Sequence, residues 1–319
     1  MSSLRKSDPG GAVLRVADAG FGVMLPSFDP FRLGHPPLLA GAELAEELGF
    51  DSGWVGDHLS FHPPVLDALI SLASVIGRTN RLILGTGVLL LPLRHPVWTA
   101  KQLATLADLA PDRVLLGVGV GGENPAEFEA VGVPVSERGR RLDESLEIVS
   151  TLLRGEPVDR RHGLLPTRSP GLEPAPANPP PVVVGGRSEA GLRRAARCAD
   201  GWLGVWLSAG RVAAARERLT GYAREYGRPR CTVALMIFVL VTDDPASGRG
   251  EAAEFVRGQY GLSFDRLERW VVIGNEAAVA DRLRELRAAG AEAFVLVPAA
   301  RDPLAQYRRL AAVRVLLDR

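Results

Sequence analysis

Hydrophobic and polar positions follow two alternating patterns along the chain. Short runs that are almost entirely apolar are typical of parallel strands covered on both faces. Eight such runs predict strands at residues 20–25, 52–56, 82–91, 114–118, 182–184, 201–205, 232–241 and 293–297. Between them, apolar positions recur with helical spacing, which predicts helices at residues 37–48, 65–77, 96–110, 137–154, 188–199, 211–226, 250–260, 276–289 and 303–317.

The alternation of eight strands with helices predicts a (β/α)8 TIM barrel of the α/β class. A doubly wound open sheet is the alternative, because it would show a similar alternation. The chain has 319 residues, and α/β barrels routinely reach such lengths as one domain. We therefore expect a single barrel domain over residues 20–319, preceded by a flexible N-terminal segment over residues 1–19.

Residues 156–181 interrupt the alternation after the fourth βα unit. The segment is rich in proline, which disfavours both a regular helix and a central strand. Connections of this length are usually functional or disordered rather than simple links. We interpret it as a proline-rich insertion over the mouth of the barrel, where it could act as a lid.

Charge and composition exclude several classes of partner. The chain has 38 Lys+Arg against 37 Asp+Glu, a formal net charge of +1, and so lacks the basic footprint of nucleic-acid binders. The N-terminal residues do not resemble a signal peptide, and the longest strongly apolar run, residues 82–93, is too short to span a bilayer. We expect no nucleic-acid or membrane partner and a cytoplasmic location. The two cysteines, Cys198 and Cys231, exclude a disulfide framework.

An ionisable pair follows the second predicted strand. In a βα barrel the active site lies at the carboxyl ends of the strands, and Asp57 and His58 leave the strand at that end. An imidazole beside a carboxylate suits proton transfer, although Asp57 could instead cap a turn while His58 merely packs. His62 lies four residues further on, but the two prolines after it disfavour a helix that would align the two imidazoles. We therefore expect no metal.

Glycines mark the ends of three further strands. Gly87 lies in the third strand, and Gly119 belongs to a glycine-rich run that could form a side-chain-free wall beside a planar ligand. The loop after the fifth strand suits a phosphate, because it combines uncovered backbone N–H groups, a fixed charge and a helix N-cap. Its residues are Gly185, Gly186, Arg187 and Ser188. A plain capped turn is the alternative. Trp202 and Trp206 could line the pocket or pack in the core.

Several separated motifs resemble the bacterial luciferase-like flavin monooxygenases and their deazaflavin-dependent relatives. The resemblance runs from about residue 20 to the end of the chain, with the motifs in the family's order. It includes FGVMLP (21–26), ELGFDSGWVGDH (47–58), ILGTGV (83–88), RVLLGVG (113–119), EF (127–128), GGRS (185–188) and ADGW (199–202).

The resemblance implies a TIM barrel that binds a flavin or deazaflavin at its mouth, usually in a homodimer formed by the helices over residues 65–77 and 96–110. It implies a non-prolyl cis peptide between Gly87 and Val88, against the middle of the isoalloxazine ring. The cofactor phosphate would lie at residues 185–188. Asp57 and His58 match the Asp-His pair of the deazaflavin-dependent members, in which the histidine faces the reactive edge of the ring.

These features lead to the hypothesis of a coenzyme F420-dependent oxidoreductase acting on a small organic substrate. His58 would exchange a proton as hydride moves, while Asp57 would tune His58 or contact the cofactor. A basic cluster in the insertion could hold an acidic cofactor tail or simply be solvated; it comprises Arg160, Arg161, His162 and Arg168. A flavin or F420 reductase could be a partner.

Three alternatives remain at this stage. The first is a monooxygenase that uses reduced FMN and O2, the second a non-catalytic flavin-binding protein, and the third a metal-dependent hydrolase. Deazaflavin sugar-phosphate dehydrogenases of the family carry a tryptophan where this chain has His62, and an acidic residue where it has Gly122. These differences argue against oxidation of a sugar phosphate.

Overall fold

A closed ring of parallel strands forms the centre of the computed structural model, which describes residues 13–318. The strands are β1 (Phe21–Met24), β2 (Ser52–Val55), β3 (Ile83–Thr86), β4 (Val114–Val118), β5 (Val158–Arg160), β6 (Thr167–Ser169), β7 (Val182–Gly185), β8 (Gly201–Val205), β9 (Thr232–Val241), β10 (Val271–Gly274) and β11 (Ala293–Pro298). The helices are α1 (Leu38–Glu47), α2 (Ala68–Ile76), α3 (Pro96–Leu109), α4 (Pro125–Ala130), α5 (Arg138–Leu153), α6 (Glu189–Cys198), α7 (Ala209–Glu225), α8 (Pro245–Tyr260), α9 (Glu276–Ala288) and α10 (Pro303–Leu317).

Eight of the strands close the barrel in the order β9-β11-β1-β2-β3-β4-β7-β8, and β8 pairs again with β9. The closing register runs from Gly201 opposite Thr232 to Val205 opposite Met236. The predicted (β/α)8 TIM barrel is therefore confirmed, and an open doubly wound sheet is excluded. The eight strands predicted from the sequence are the eight that form the barrel. The additional strand β10 pairs with the end of β9.

The strand sequences are apolar because helices cover them outside and side chains fill the barrel inside. All five residues of β4 are buried, for example. The interior includes Trp54, which is fully buried and donates a hydrogen bond from Nε1 to Ser52 Oγ at 2.9 Å. Pairing that buried indole N–H inside the barrel avoids the cost of an unsatisfied donor.

The end of the segment expected to be flexible packs against the barrel. Residues 1–12 lie outside the described part of the chain, but Val16–Ala19 form a 3₁₀ helix. Leu14, Val16 and Ala19 are buried in the same cluster as the barrel interior. A Cβ at Gly201 would come within 2.7 Å of Val16 Cγ1, so the start of β8 requires glycine for this close approach. Leu14, Val16 and Ala19 thus attach this part of the N-terminal segment to the barrel.

The proline-rich segment does not lie over the mouth, contrary to expectation. It connects the end of α5 to the start of β7, and both of these points lie at the amino end of the barrel. Its short strands β5 and β6 form an antiparallel hairpin that follows the outer side of α5. There Glu144 accepts hydrogen bonds from the backbone of Leu164 and Leu165 at 2.8 and 2.9 Å. These contacts place the hairpin beside α5, so they do not support the interpretation as a lid.

Candidate active site

His58 lies at the carboxyl end of β2, where a buried carboxylate holds it. Its Nδ1 is 3.0 Å from Glu127 Oε2, and Glu127 is completely buried. The other oxygen of Glu127 accepts the backbone N–H groups of Leu59 and Ser60 at 2.6 and 3.2 Å. Since an ionised carboxylate only accepts hydrogen bonds, the proton of the neutral imidazole belongs on Nδ1. Nε2 is then left as an acceptor for a ligand.

The loop after β4 delivers Glu127 to this position. Glu127 lies on the short helix α4, whose N-cap Asn124 accepts a hydrogen bond from Ala126 N. The side chain of Asn124 also donates to the Ser60 carbonyl at 2.9 Å, which ties the loop after β4 to the loop after β2. Glu127 was not among the site residues predicted from the sequence. The available signal was an acidic residue directly before a buried aromatic, Phe128, just past the glycine-rich run.

Asp57 does not contact His58. Asp57 is buried, accepts a hydrogen bond from Leu90 N at 2.9 Å and forms an ion pair with Arg94 Nη2 at 2.7 Å. Arg94 also reaches Asp67 at 2.9 Å. Burial opposes the charge of the guanidinium, but the two aspartates outweigh it and raise the pKa of Arg94. Asp57 therefore anchors the chain beyond β3, and the carboxylate that orients the imidazole comes from the loop after β4 instead.

The positions expected to contact the cofactor ring lie at the ends of β3 and β4, and they meet the start of the expected phosphate loop at the end of β7. The peptide bond between Gly87 and Val88 is cis, as the family resemblance implies. A Cβ at Gly119 would lie 2.4 Å from Val88 Cγ2, and a Cβ at Gly185 would lie 2.8 Å from Val88 Cγ1. The side chain of Val88 occupies the space that these two glycines leave free. One small apolar platform thus spans three adjacent strands.

The loop after β7 has the features of an anion-binding helix N-terminus. Ser188 caps α6 by accepting a hydrogen bond from Gly191 N at 3.2 Å. Gly186 has φ +132°, and no atom lies within 4 Å of the position a Cβ would take. The loop therefore combines an open space with the positive end of a helix, a combination that favours a phosphate.

The two tryptophans near this loop have different roles. Trp202 is 1% exposed and donates from Nε1 to the Gly186 carbonyl at 2.7 Å, so it supports the loop from the core. Trp206 is half-buried beyond the end of β8. The guanidinium of Arg187 lies over the Trp206 ring, 4.9 Å from the ring centroid. This contact fixes the position of the positive charge that Arg187 brings to the loop.

Several other candidate residues do not join the site. His62 packs against the Gly261 backbone. The basic cluster lies on the outer side of α5, where Arg160 pairs with Glu147 and Arg161 with Asp159, so this position does not support contact with a cofactor at the mouth. Among residues 13–318, no three acidic, histidine or cysteine side chains group as a metal site. No helix in this range has both the length and the apolarity needed to cross a membrane.

Comparisons with known proteins agree with this geometry. A family model described as luciferase-like monooxygenase matches residues 21–293. An F420-dependent glucose-6-phosphate dehydrogenase of Nakamurella multipartita is 37% identical over 180 residues, 54% of this chain and 52% of that protein. The F420-dependent hydroxymycolic acid dehydrogenase of Mycobacterium tuberculosis is 32% identical over 245 residues, 73% of this chain and 66% of that protein.

Oxygenases are also among the relatives. The 4-hydroxyprotoasukamycin monooxygenase of Streptomyces nodosus subsp. asukaensis is 35% identical over 170 residues, 48% of this chain and 45% of that protein. The chain spans about half of the length of several curated relatives that it matches. Among solved structures, an F420-dependent secondary alcohol dehydrogenase in complex with an F420-acetone adduct superposes with a TM-score of 0.82 at 19% identity. That superposition covers 94% of this chain and 99% of the other and shows a shared fold.

Proposed function

Because this chain belongs to the luciferase-like monooxygenase family, we propose that it is an F420-dependent oxidoreductase. It would transfer hydride between the deazaflavin and a small organic substrate. Two of its relatives are named as F420-dependent dehydrogenases, which supports this choice of cofactor. The observation that carries the proposal is the pair of His58 and Glu127 at the barrel mouth, since hydride transfer to or from an oxygen-bearing carbon needs a matching proton transfer.

The residues at the mouth fit a cofactor with a planar ring and a phosphate. The open space at Gly186 and the capped start of α6 would hold the phosphate, with the charge of Arg187 beside it. The platform of Gly87, Val88 and Gly119 would support the ring. Asp57 would contribute by fixing the backbone at Leu90, two residues beyond the platform. The bound deazaflavin would supply the hydride acceptor or donor.

His58 would exchange the proton at Nε2. When a substrate alcohol is oxidised, Nε2 accepts the hydroxyl proton and the imidazole becomes positively charged. Glu127 is 3.0 Å from Nδ1 and stabilises that charge, while its two backbone hydrogen bonds keep the carboxylate in place. In the reverse direction the imidazolium returns the proton to a substrate carbonyl. The stacked ring of Phe61, 3.8 Å from the His58 ring, limits rotation of the imidazole.

An FMN-dependent monooxygenase is the second candidate. One relative is named as a monooxygenase, and the same platform and phosphate loop would accept FMN. In that reaction reduced FMN and O2 would be co-substrates, and a partner reductase would have to deliver the reduced flavin.

Parallel reconstitution distinguishes the two candidates. The purified protein is titrated with F420 and with FMN, and binding is followed by the change in cofactor fluorescence. O2 uptake is then measured with reduced FMN in air. The proposal predicts saturable F420 binding and no O2 uptake above that of free reduced FMN. Lack of F420 binding would reject the proposal, and enzyme-dependent O2 uptake with an oxygenated product would favour the monooxygenase.

A further inference from the structure

Aromatic side chains line one side of the barrel mouth in an unbroken series of contacts. We call Phe28, Phe61, Trp206, Phe238 and Tyr260 the aromatic wall. The ring of Tyr260 lies 6.0 Å from Phe61, 5.5 Å from Trp206 and 6.0 Å from Phe238 between centroids. Phe28 lies 6.4 Å from Phe61. These spacings are those of favourable edge-to-face and tilted aromatic pairs.

The wall occupies the part of the mouth that the proposed cofactor residues leave free. The cofactor residues follow β3, β4 and β7, which are consecutive in the barrel. The wall belongs to the remaining arc: it comes from the loops after β1, β2 and β8, from β9, and from the end of α8. His58 stacks on Phe61 and bonds to Glu127 after β4, so it lies where the two arcs meet. A substrate reacting at His58 would therefore rest against aromatic rings.

Trp206 marks the other junction of the two arcs. It has φ +56°, a left-handed conformation that is sterically disfavoured for a bulky residue. The surrounding contacts must enforce it, and such outliers cluster at ligand sites. The conformation directs the half-buried indole to the position where Arg187 covers it on one side and Tyr260 meets its edge on the other.

The hydroxyl of Tyr260 is a polar group of the wall that forms no hydrogen bond with residues 13–318. Tyr260 is half-buried at the end of α8, and tyrosine hydroxyls that are removed from water usually find a partner. A ligand that rests on the wall and carries a hydroxyl or carbonyl oxygen would accept a hydrogen bond from Tyr260.

The charges around the wall disfavour an anionic substrate. Arg301 lies over Phe31 but pairs with Glu254, and Arg32 donates to the His62 carbonyl at 2.9 Å. Burial, and after it the nearby carboxylate of Glu123, raise the pKa of Tyr260, so the phenol remains a neutral hydrogen-bond donor. A phosphate or carboxylate beside Tyr260 would therefore meet the negative charge of Glu123, whereas the guanidinium of Arg187 lies over Trp206 at the junction with the proposed phosphate loop.

We infer that the substrate is a neutral, largely apolar ring compound with a hydroxyl or carbonyl group, held by the aromatic wall and accepting a hydrogen bond from the hydroxyl of Tyr260. The inference rests on the proposed function. In the oxidative direction the alcohol carbon loses a hydride to the deazaflavin, and the hydroxyl proton passes to His58 Nε2. The C–H and O–H bonds break, a ketone forms, and the deazaflavin is reduced by two electrons.

An NMR titration of the F420-saturated protein tests this inference. The probes are 2-acetylnaphthalene, 2-ethylnaphthalene, which has the same ring system without the carbonyl, and glucose 6-phosphate. The ¹⁵N indole signal of Trp206 reports binding at the wall, and a Trp206→Phe variant identifies that signal. We expect both naphthalenes, but not glucose 6-phosphate, to shift it. Tyr260→Phe should weaken binding of the ketone about three- to tenfold, the range for one hydrogen bond, and leave binding of the hydrocarbon unchanged.

A matched variant controls for general effects of removing a phenol. Tyr226 is 39% exposed at the end of α7, and Tyr226→Phe should alter binding of neither probe. Equal weakening of both naphthalenes by Tyr260→Phe, or tighter binding of glucose 6-phosphate than of the ketone, would overturn the inference. F420 binding without naphthalene binding would overturn this inference alone, whereas absence of F420 binding in the same samples would reject the proposed function.

Discussion

Replacing Glu127 with glutamine tests whether this carboxylate determines the protonation state of His58. The amide oxygen of glutamine can still accept the two backbone hydrogen bonds, which are 2.6 and 3.2 Å long in the native protein. Its NH2 group must then face His58 Nδ1, where Glu127 Oε2 lies at 3.0 Å. Two donors cannot face each other, so we expect the ring proton to move from Nδ1 to Nε2.

The expected loss of activity follows from this change of tautomer. With a proton on Nε2, the neutral ring can no longer accept the proton of an alcohol. General acid–base catalysis contributes about 10²–10⁴ to a rate, so kcat for alcohol oxidation should fall by about 100-fold or more. The fold should be little affected, because the side chains have similar volume and two of the three hydrogen bonds remain. One altered hydrogen bond corresponds to about 1 kcal/mol of the free energy of unfolding.

The assay combines ring ¹⁵N shifts in histidine-labelled protein with F420-dependent oxidation of 1-(2-naphthyl)ethanol. The chain contains 5 histidines, and a His58→Asn variant identifies the signals of His58. Glu129→Gln is the control, because Glu129 is exposed on the same helix α4, and it should change neither the shifts nor kcat. An unchanged tautomer in Glu127→Gln, or an unchanged kcat, would refute the assigned role of this carboxylate.

Three further predictions concern the cofactor loop, acid stability and assembly. Gly186→Val should lower the affinity for F420 at least about tenfold, because the larger residue strains the loop and fills its open space. Gly227 is another glycine with positive φ in open space, and Gly227→Val is the control that should leave the affinity unchanged. Fluorescence titration measures the F420 affinity of both variants. The backbone hydrogen bonds to Glu46 from residues 80–82 outweigh its burial and lower its pKa, so Glu46→Gln should reduce the free energy of unfolding at pH 7 by about 1–2 kcal/mol. That difference in the free energy of unfolding should disappear as the pH falls below the ordinary pKa of a glutamate, about 4.3, and through the lowered pKa of Glu46. Denaturant titrations of both proteins at pH 7 and at a pH below the lowered pKa test this prediction. Trp98 on α3 is 70% exposed. If α2 and α3 pair between subunits, as the family resemblance implies, Trp98→Glu should convert a dimer to a monomer in light scattering, whereas a native monomer would contradict the pairing.

The barrel could be predicted from the sequence because burial on both faces leaves a local signal. The eight strands are short apolar runs, and each run can be recognised without knowing its neighbours. Strand β10 was missed because three apolar residues followed by a glycine do not by themselves distinguish a strand. The length of its partner β9 indicated that a further strand could pair with the end of β9, since at ten residues β9 is the longest strand in the described part of the chain.

The site was harder to predict, because its central contact joins distant residues. His58 and the phosphate loop of residues 185–188 stood out through residue type and position after a strand. The partner of His58 is 69 residues away, on a short helix whose direction depends on the loop contacts of Asn124. The neighbouring Asp57 was the partner predicted from the sequence, but alternation along an extended chain directs adjacent side chains to opposite sides. The insertion was misplaced because proline content predicts irregular structure without indicating which end of the barrel it covers.

The most direct test of the proposed function is transfer of deuterium from substrate to cofactor. The F420-loaded protein is mixed anaerobically with 1-(2-naphthyl)ethanol carrying deuterium on the carbinol carbon, and the reduced F420 is analysed by mass spectrometry. The account predicts one deuterium in the reduced cofactor, and for His58→Asn a rate at least about 100-fold lower with unchanged F420 affinity. Reduced F420 without deuterium, or transfer by His58→Asn at the rate of the native protein, would contradict it.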